Sequence, residues 1–201
     1  MDTTIAERKR RLVRDELTEA AVRLLADQGF EETTVDQIVT AVGMSRRTFS
    51  RYFESKEDVV VHMLAGAGAR LCAQLRGRPA DEPPAQALRH ALSVFTAMSV
   101  ANPAKTLLVS RLILGTPALL ARFLERQTVW QDDVTAILAE RTGLDSNTDL
   151  RPTLAAGVAL TAFNVALRRW VAGDGAADLD ALVDQAFTTV APALDLTTDA
   201  S

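Results

Sequence analysis

Between Ser45 and Phe53 the chain reads Ser-Arg-Arg-Thr-Phe-Ser-Arg-Tyr-Phe, three guanidinium groups set among hydroxyl side chains. Wound as a helix, this stretch puts Phe49 and Phe53 on one face and Arg46, Arg47, Thr48, Ser50 and Arg51 on the other. The outward set suits one kind of chemistry. A guanidinium fork matches the O6 and N7 acceptors of guanine in a major groove, and hydroxyls reach phosphates or base edges. Ser45 stands where an N-cap belongs, at the start of that face. Thr33 and Thr34 begin the preceding helix, whose free backbone N–H groups favour a phosphate. Lys56 opens the following helix and adds a candidate phosphate contact. Upstream, Arg8, Lys9, Arg10, Arg11 and Arg14 form a basic stretch suited to a phosphate backbone or a minor groove.

Two short helices must hold this face. Thr34 and Gln37 have capping-box spacing, and Val35, Ile38, Val39 and Val42 follow at helical period. Gly43 tolerates the positive φ of a tight turn, and Met44 plugs it. The result is a helix-turn-helix at 34–53. The same pattern also fits an ordinary helical corner whose arginines are a solvated face. Residues 1–60 hold 10 basic and 12 acidic side chains, so the basic groups must be segregated on one face. Glu31, Glu32 or Asp36 on that face would weaken the reading.

The rest of the chain reads as helix too. Beyond a first helix at 7–27 and the pair at 34–42 and 45–53, helices are expected at 55–75, 85–101, 104–114, 117–142, 150–172 and 178–194, punctuated by Gly and Pro. The fold class is all-α, with about nine helices. The 201 residues are 48% apolar, with 22 basic and 26 acidic side chains, net charge −4 and pI near 5.3. A wholly basic, histone-like protein is excluded; a local basic face is not. The one cysteine, Cys72, forbids an intramolecular disulfide, and neither a signal peptide nor a long apolar span is visible. A cytoplasmic protein with no membrane partner is expected. His62 and His90 lack companions at metal-ligand spacing, so no metal is expected. No nucleophile elbow or P-loop occurs, and Gly66-Ala-Gly-Ala-Arg-Leu lacks a third glycine. No enzyme and no cofactor are expected.

Residues 10–71 resemble the N-terminal domain of TetR-type regulators. The likeness rests on Ala20 to Phe30, Thr33 to Ile38, Ala41 to Ser45 and, most specifically, Thr48-Phe-Ser-Arg-Tyr-Phe-Glu-Ser-Lys-Glu-Asp58. The Arg46-Arg47 pair and the Arg-Tyr-Phe ending are similar to actinobacterial members. The resemblance implies a three-helix DNA-binding domain at 11–71 after a flexible basic arm at 1–10. It implies a C-terminal ligand-binding and dimerisation domain at 72–195, with a tail at 196–201. Carried over by position, Arg46, Arg47, Thr48, Ser50, Arg51 and Tyr52 would be recognition-helix contacts. Lys56 would match a phosphate-touching lysine, and Thr34 a helix-start phosphate contact. Double-stranded operator DNA, a second copy of the chain and a small-molecule effector are the implied partners. A ligand-responsive repressor on a palindromic operator is the commoner family outcome, although sequence does not separate repression from activation.

Two stripes near the C-terminus suit a four-helix bundle with a second copy. One carries Leu154, Val158, Thr161 and Val165; the other carries Leu182, Ala186 and Val190. Intramolecular core is the alternative. Phe95, Met98, Leu108, Arg111, Phe123, Trp130 and Asn164 are candidate pocket residues, although any single Met or aromatic at such spacing is more often core. Arg111 would serve an anionic ligand or, as readily, a surface salt bridge. The helix starting near Ser55 links the two domains and is the natural lever for an effector.

Overall fold

The structure is a computed structural model and describes residues 4–194. Among these residues it is all helical: α1 (Ile5–Gln28), α2 (Val35–Ala41), α3 (Arg46–Phe49), α4 (Lys56–Arg76), α5 (Pro84–Ala101), α6 (Pro103–Gly115), α7 (Pro117–Thr142), α8 (Arg151–Ala172), α9 (Leu179–Val190) and a short 3-10 turn, Ala191–Leu194. The ends follow the local chemistry. Thr34 caps α2 through the N–H of Gln37, whose side chain returns to the Thr34 N–H. Proline opens α5, α6 and α7 at their first residues, where its missing N–H costs nothing. Gly29, Gly43 and Gly143 leave their helices with positive φ.

Two expectations change. Residues 5–10 are not a loose arm. Thr4 and Glu7 form a capping box that starts α1 at Ile5, so Arg8 to Arg14 ride on a helix. The reading helix is also shorter than 45–53. After Phe49 the backbone tightens, with Arg51 N–H on Thr48 O and Tyr52 N–H on Phe49 O, while Phe53 N–H still reaches Phe49 O. Phe49 and Phe53 are both buried, rings 5.5 Å apart. Ser50, Arg51 and Tyr52 therefore sit in turns. The tail at 196–201 lies outside the described residues, as do the first three residues of the arm.

The chain divides into two units. One comprises the residues through Ala65 with Arg111–Phe123; the other comprises Gly66–Ser110 with the chain from Leu124 onward. The division falls within α4, six residues before the expected boundary at 71/72. Inside the first unit, Leu17, Ala20, Ile38, Val39, Phe49 and Val59 form a buried core, with Met44 and Tyr52 packed on it. Inside the second, α8 and α9 pack along each other and α5 packs on both. Among the described residues no single helix is long and apolar enough to cross a membrane.

Candidate nucleic-acid interface

The face begins with its support. Ser45 Oγ accepts the Thr48 N–H at 3.1 Å and so caps α3. Phe49 and Phe53 are buried beneath it, and Met44 N–H bonds back to Val39 O at 2.8 Å across the Gly43 turn. Ser45, Arg46, Arg47, Ser50 and Arg51 are exposed, while Thr48 and Tyr52 are half-buried. The result is a small cationic ridge above a buried apolar underside. Thr34 is exposed at the start of α2, its hydroxyl accepting the Gln37 N–H and donating to Gln37 Oε1.

One acid shares the ridge. Asp36, on α2, lies 3.5 Å from Arg46, and both side chains are mostly exposed. A pair so exposed is worth little in stability. Its effect is to hold an acceptor beside one of the three guanidinium groups. The residue was visible in the sequence as a possible intruder; its pairing to Arg46 was not.

Two residues expected on the ridge turn inward. Thr33 is buried, and its hydroxyl donates to Gly29 O at 2.7 Å. Gln28 braces the same turn, its amide donating to Glu32 O, Thr33 Oγ1 and Gln37 Oε1. Lys56 is half-buried. Its ammonium donates to Phe30 O and, at 3.0 Å, to Thr33 O, and it lies 4.1 Å from the centre of the Phe30 ring. Neither contact was legible locally, because the partners of Lys56 lie 23 and 26 residues upstream.

Along α1, Arg8, Lys9, Arg10 and Arg11 are exposed. Arg14 is half-buried, its guanidinium 6.0 Å from the centre of the Phe53 ring. His62 meets the same ring edge-on at 5.8 Å. Burial holds the His62 imidazole below the ordinary histidine range; the Arg14 charge adds to this and Asp15 opposes it.

The remaining candidate residues lie mostly in the second unit. Phe95 stacks on Trp130 at 5.7 Å and tilts against Phe163 at 5.1 Å. Asn164 exchanges two hydrogen bonds with Gln127, at 2.6 and 2.9 Å. Gln127, buried and polar, was not singled out from sequence; its partner lies 37 residues away. Met98 and Leu108 are exposed, as is Arg111, so Arg111 is not a buried charge. Arg111 and Phe123 belong to the first unit and the other five candidates to the second. On α8 the buried stripe is Ala155, Ala156, Ala159, Phe163 and Ala166. Leu154 and Val165 lie off that stripe, 58% and 59% exposed. With Val158, Thr161, Ala186 and Val190 they line an open groove of about 560 Å³; Leu182, on α9, is half-buried.

Comparison with known proteins agrees with this architecture. Residues 17–63 match the bacterial regulatory proteins of the tetR family, and residues 82–195 match the MftR C-terminal domain. The chain is 34% identical over 172 residues to the HTH-type transcriptional regulator TcmR of Streptomyces glaucescens, covering 83% of this chain and 76% of that one. It is 30% identical over 192 residues to MftR of Mycobacterium tuberculosis, a candidate mycofactocin biosynthesis transcriptional regulator, covering 94% of each. Its fold is similar to that of the transcriptional regulator FadR from Bacillus subtilis, solved in complex with stearoyl-CoA. That match has a TM-score of 0.65 at 18% identity and covers 88% of this chain and 96% of the other. These relatives are regulators rather than enzymes, and the chain belongs to the TetR family of DNA-binding transcriptional regulators.

Proposed function

We propose that the chain is a ligand-responsive repressor that binds a palindromic operator as a homodimer in the cytoplasm. The observation that carries the DNA reading is the ridge of Arg46, Arg47 and Arg51, exposed above the buried Phe49 and Phe53. Arg46, Arg47 and Thr48 are the base-reading candidates, because the first residues of a recognition helix meet base edges. Thr34, Ser45, Ser50, Arg51 and Tyr52 flank them as backbone contacts. Arg46 must exchange Asp36 for a base or phosphate, which lets Asp36 penalise sites that offer Arg46 no acceptor.

The dimer is supported by the apolar outer side of α8 and α9. Leu154 and Val165 leave more than half their surface in water beside an apolar groove. Burying such surface is worth about 25 cal/mol per Å², and a second copy related by a two-fold axis supplies the same stripe. The effector is a small molecule acting in the second unit. α4 runs from the first unit into the second and is the lever it would move. Long-chain acyl-CoA thioesters are the first compounds to test, given the stearoyl-CoA complex of the Bacillus subtilis regulator.

The test is selection of bound duplexes from a random-sequence pool by the full chain. The expected product is an inverted repeat with half-sites about one helical turn, or a multiple, apart. Val165→Glu, placed on the exposed stripe, should sediment as a monomer and recover no repeat. Recovery of an asymmetric single site by a monomeric wild type would count against the proposal.

A further inference from the structure

The turn between α1 and α2 leaves carbonyls that belong to no helical ladder, at residues 30–33. Lys56, the first residue of α4, supplies donors to two of them. Its ammonium reaches Phe30 O and Thr33 O, with the Phe30 ring face 4.1 Å away. An ammonium has three N–H groups. Two carbonyls and one ring face employ them all. Phe30 and Thr33 are themselves buried. To touch a phosphate, Lys56 would have to strip donors from two carbonyls and leave the ring.

The turn that Lys56 holds leads directly into the DNA-facing elements. Thr33 ties back to Gly29, and Gln28 ties Thr33 to Gln37. Thr34 then caps α2 with Gln37. The start of α4, the end of α1 and the start of α2 thus meet on one lysine and one glutamine. A shift of α4 at Lys56 would be felt at the N-terminus of α2, where Thr34 faces outward.

We propose that Lys56 is a positioning residue for DNA reading, which fixes the start of α2 from inside the first unit without touching the nucleic acid. The inference rests on the DNA-binding reading above. It differs from that reading in what it asks of the salt dependence.

The variants are Lys56→Met, which keeps the stem and removes the donors, and Phe30→Leu, which keeps the lysine and removes the ring. Each is compared with the wild type on a duplex that the wild type selects, at a temperature where all three are folded. The expected result for Lys56→Met is affinity about 10-fold weaker, the consequence of unpaired buried carbonyls. Its slope of log affinity against log salt should match the wild type. Phe30→Leu, should Lys56→Met fail to fold, is expected to weaken binding several-fold, again with unchanged slope. Amide exchange is the readout that needs no DNA. The Thr34 and Gln37 N–H groups should exchange faster in Lys56→Met while those of the α1 core, such as Leu17 and Ala21, keep the wild-type rate. A slope smaller by about 0.9 would identify a lost phosphate contact and overturn the proposal. Unchanged exchange at Thr34 and Gln37 would overturn it as well, even if no duplex were ever selected.

Discussion

Gly43 turns the chain between α2 and α3 at φ +64°, and a Cβ built there meets nothing within 4 Å. The cost of a side chain at this position is therefore backbone strain and not a clash. Gly43→Ala should destabilise the first unit by about 1–2 kcal/mol, the left-handed penalty of an L-residue, measured by urea unfolding. A loss near zero would mean that the turn relaxes to another conformation. At this scale the outward arginines were legible, because Phe49 and Phe53 four residues apart define the opposite face. The inward turn of Thr33 and Lys56 was not. Their types suit a phosphate, and only the folded turn brings Gly29, Phe30 and Thr33 carbonyls to them.

At the scale of elements, loop 77–83 shows how helices are tied within the second unit. Arg78 pairs with Glu82 through two 2.6 Å bonds, and His90 Nδ1, on α5, stands 2.7 Å from the same carboxylate. Arg141, on α7, donates to Arg78 O and Pro79 O at 2.9 and 2.6 Å. The Arg78 hydrogen bonds, with help from His90, pull the Glu82 carboxyl down to about 2. Its folded pKa lies below its unfolded one, so protons favour the unfolded chain as pH falls from about 4.5 toward 2. The carboxylate's stabilisation is complete above that window and lost through it. Glu82→Gln should therefore be less stable than wild type at pH 6, and the gap should narrow as pH falls below about 4.5 and close only near pH 2 in thermal unfolding. A gap that stays constant would remove Glu82 from the account. Most helix boundaries were readable to within a residue or two because Gly, Pro and capping residues mark them locally; the last helix, expected at 178–194, ends at Val190 and passes into a 3-10 turn. A further exception is α3, where period alone continued the helix to Phe53, whereas the backbone tightens after Phe49.

For the whole molecule, the sequence suggested a boundary at 71/72, inside the long linking helix; the packed units divide α4 at Ala65 and join Arg111–Phe123 to the first unit, a grouping the sequence did not suggest. Nothing in Lys56–Arg76 breaks helical period; the change of neighbours comes from tertiary packing. Packing also accounts for Gly68. A Cβ there would lie 2.0 Å from Trp130 Nε1, so α4 and the Trp130 indole approach as closely as a glycine allows. The outer stripe of α8 was readable as apolar, and the structure leaves Leu154 and Val165 exposed while a separate alanine-rich face is buried. In the proposed complex, two copies of one cationic ridge read one duplex. The most direct measurement is the affinity of wild type and Arg46→Ala/Arg47→Ala for a wild-type-selected duplex, at one salt concentration with both proteins confirmed dimeric. Each bidentate arginine carries about 1–3 kcal/mol of discrimination, so the double variant should bind at least about 100-fold more weakly. Equal affinity from a folded, dimeric double variant would contradict the account.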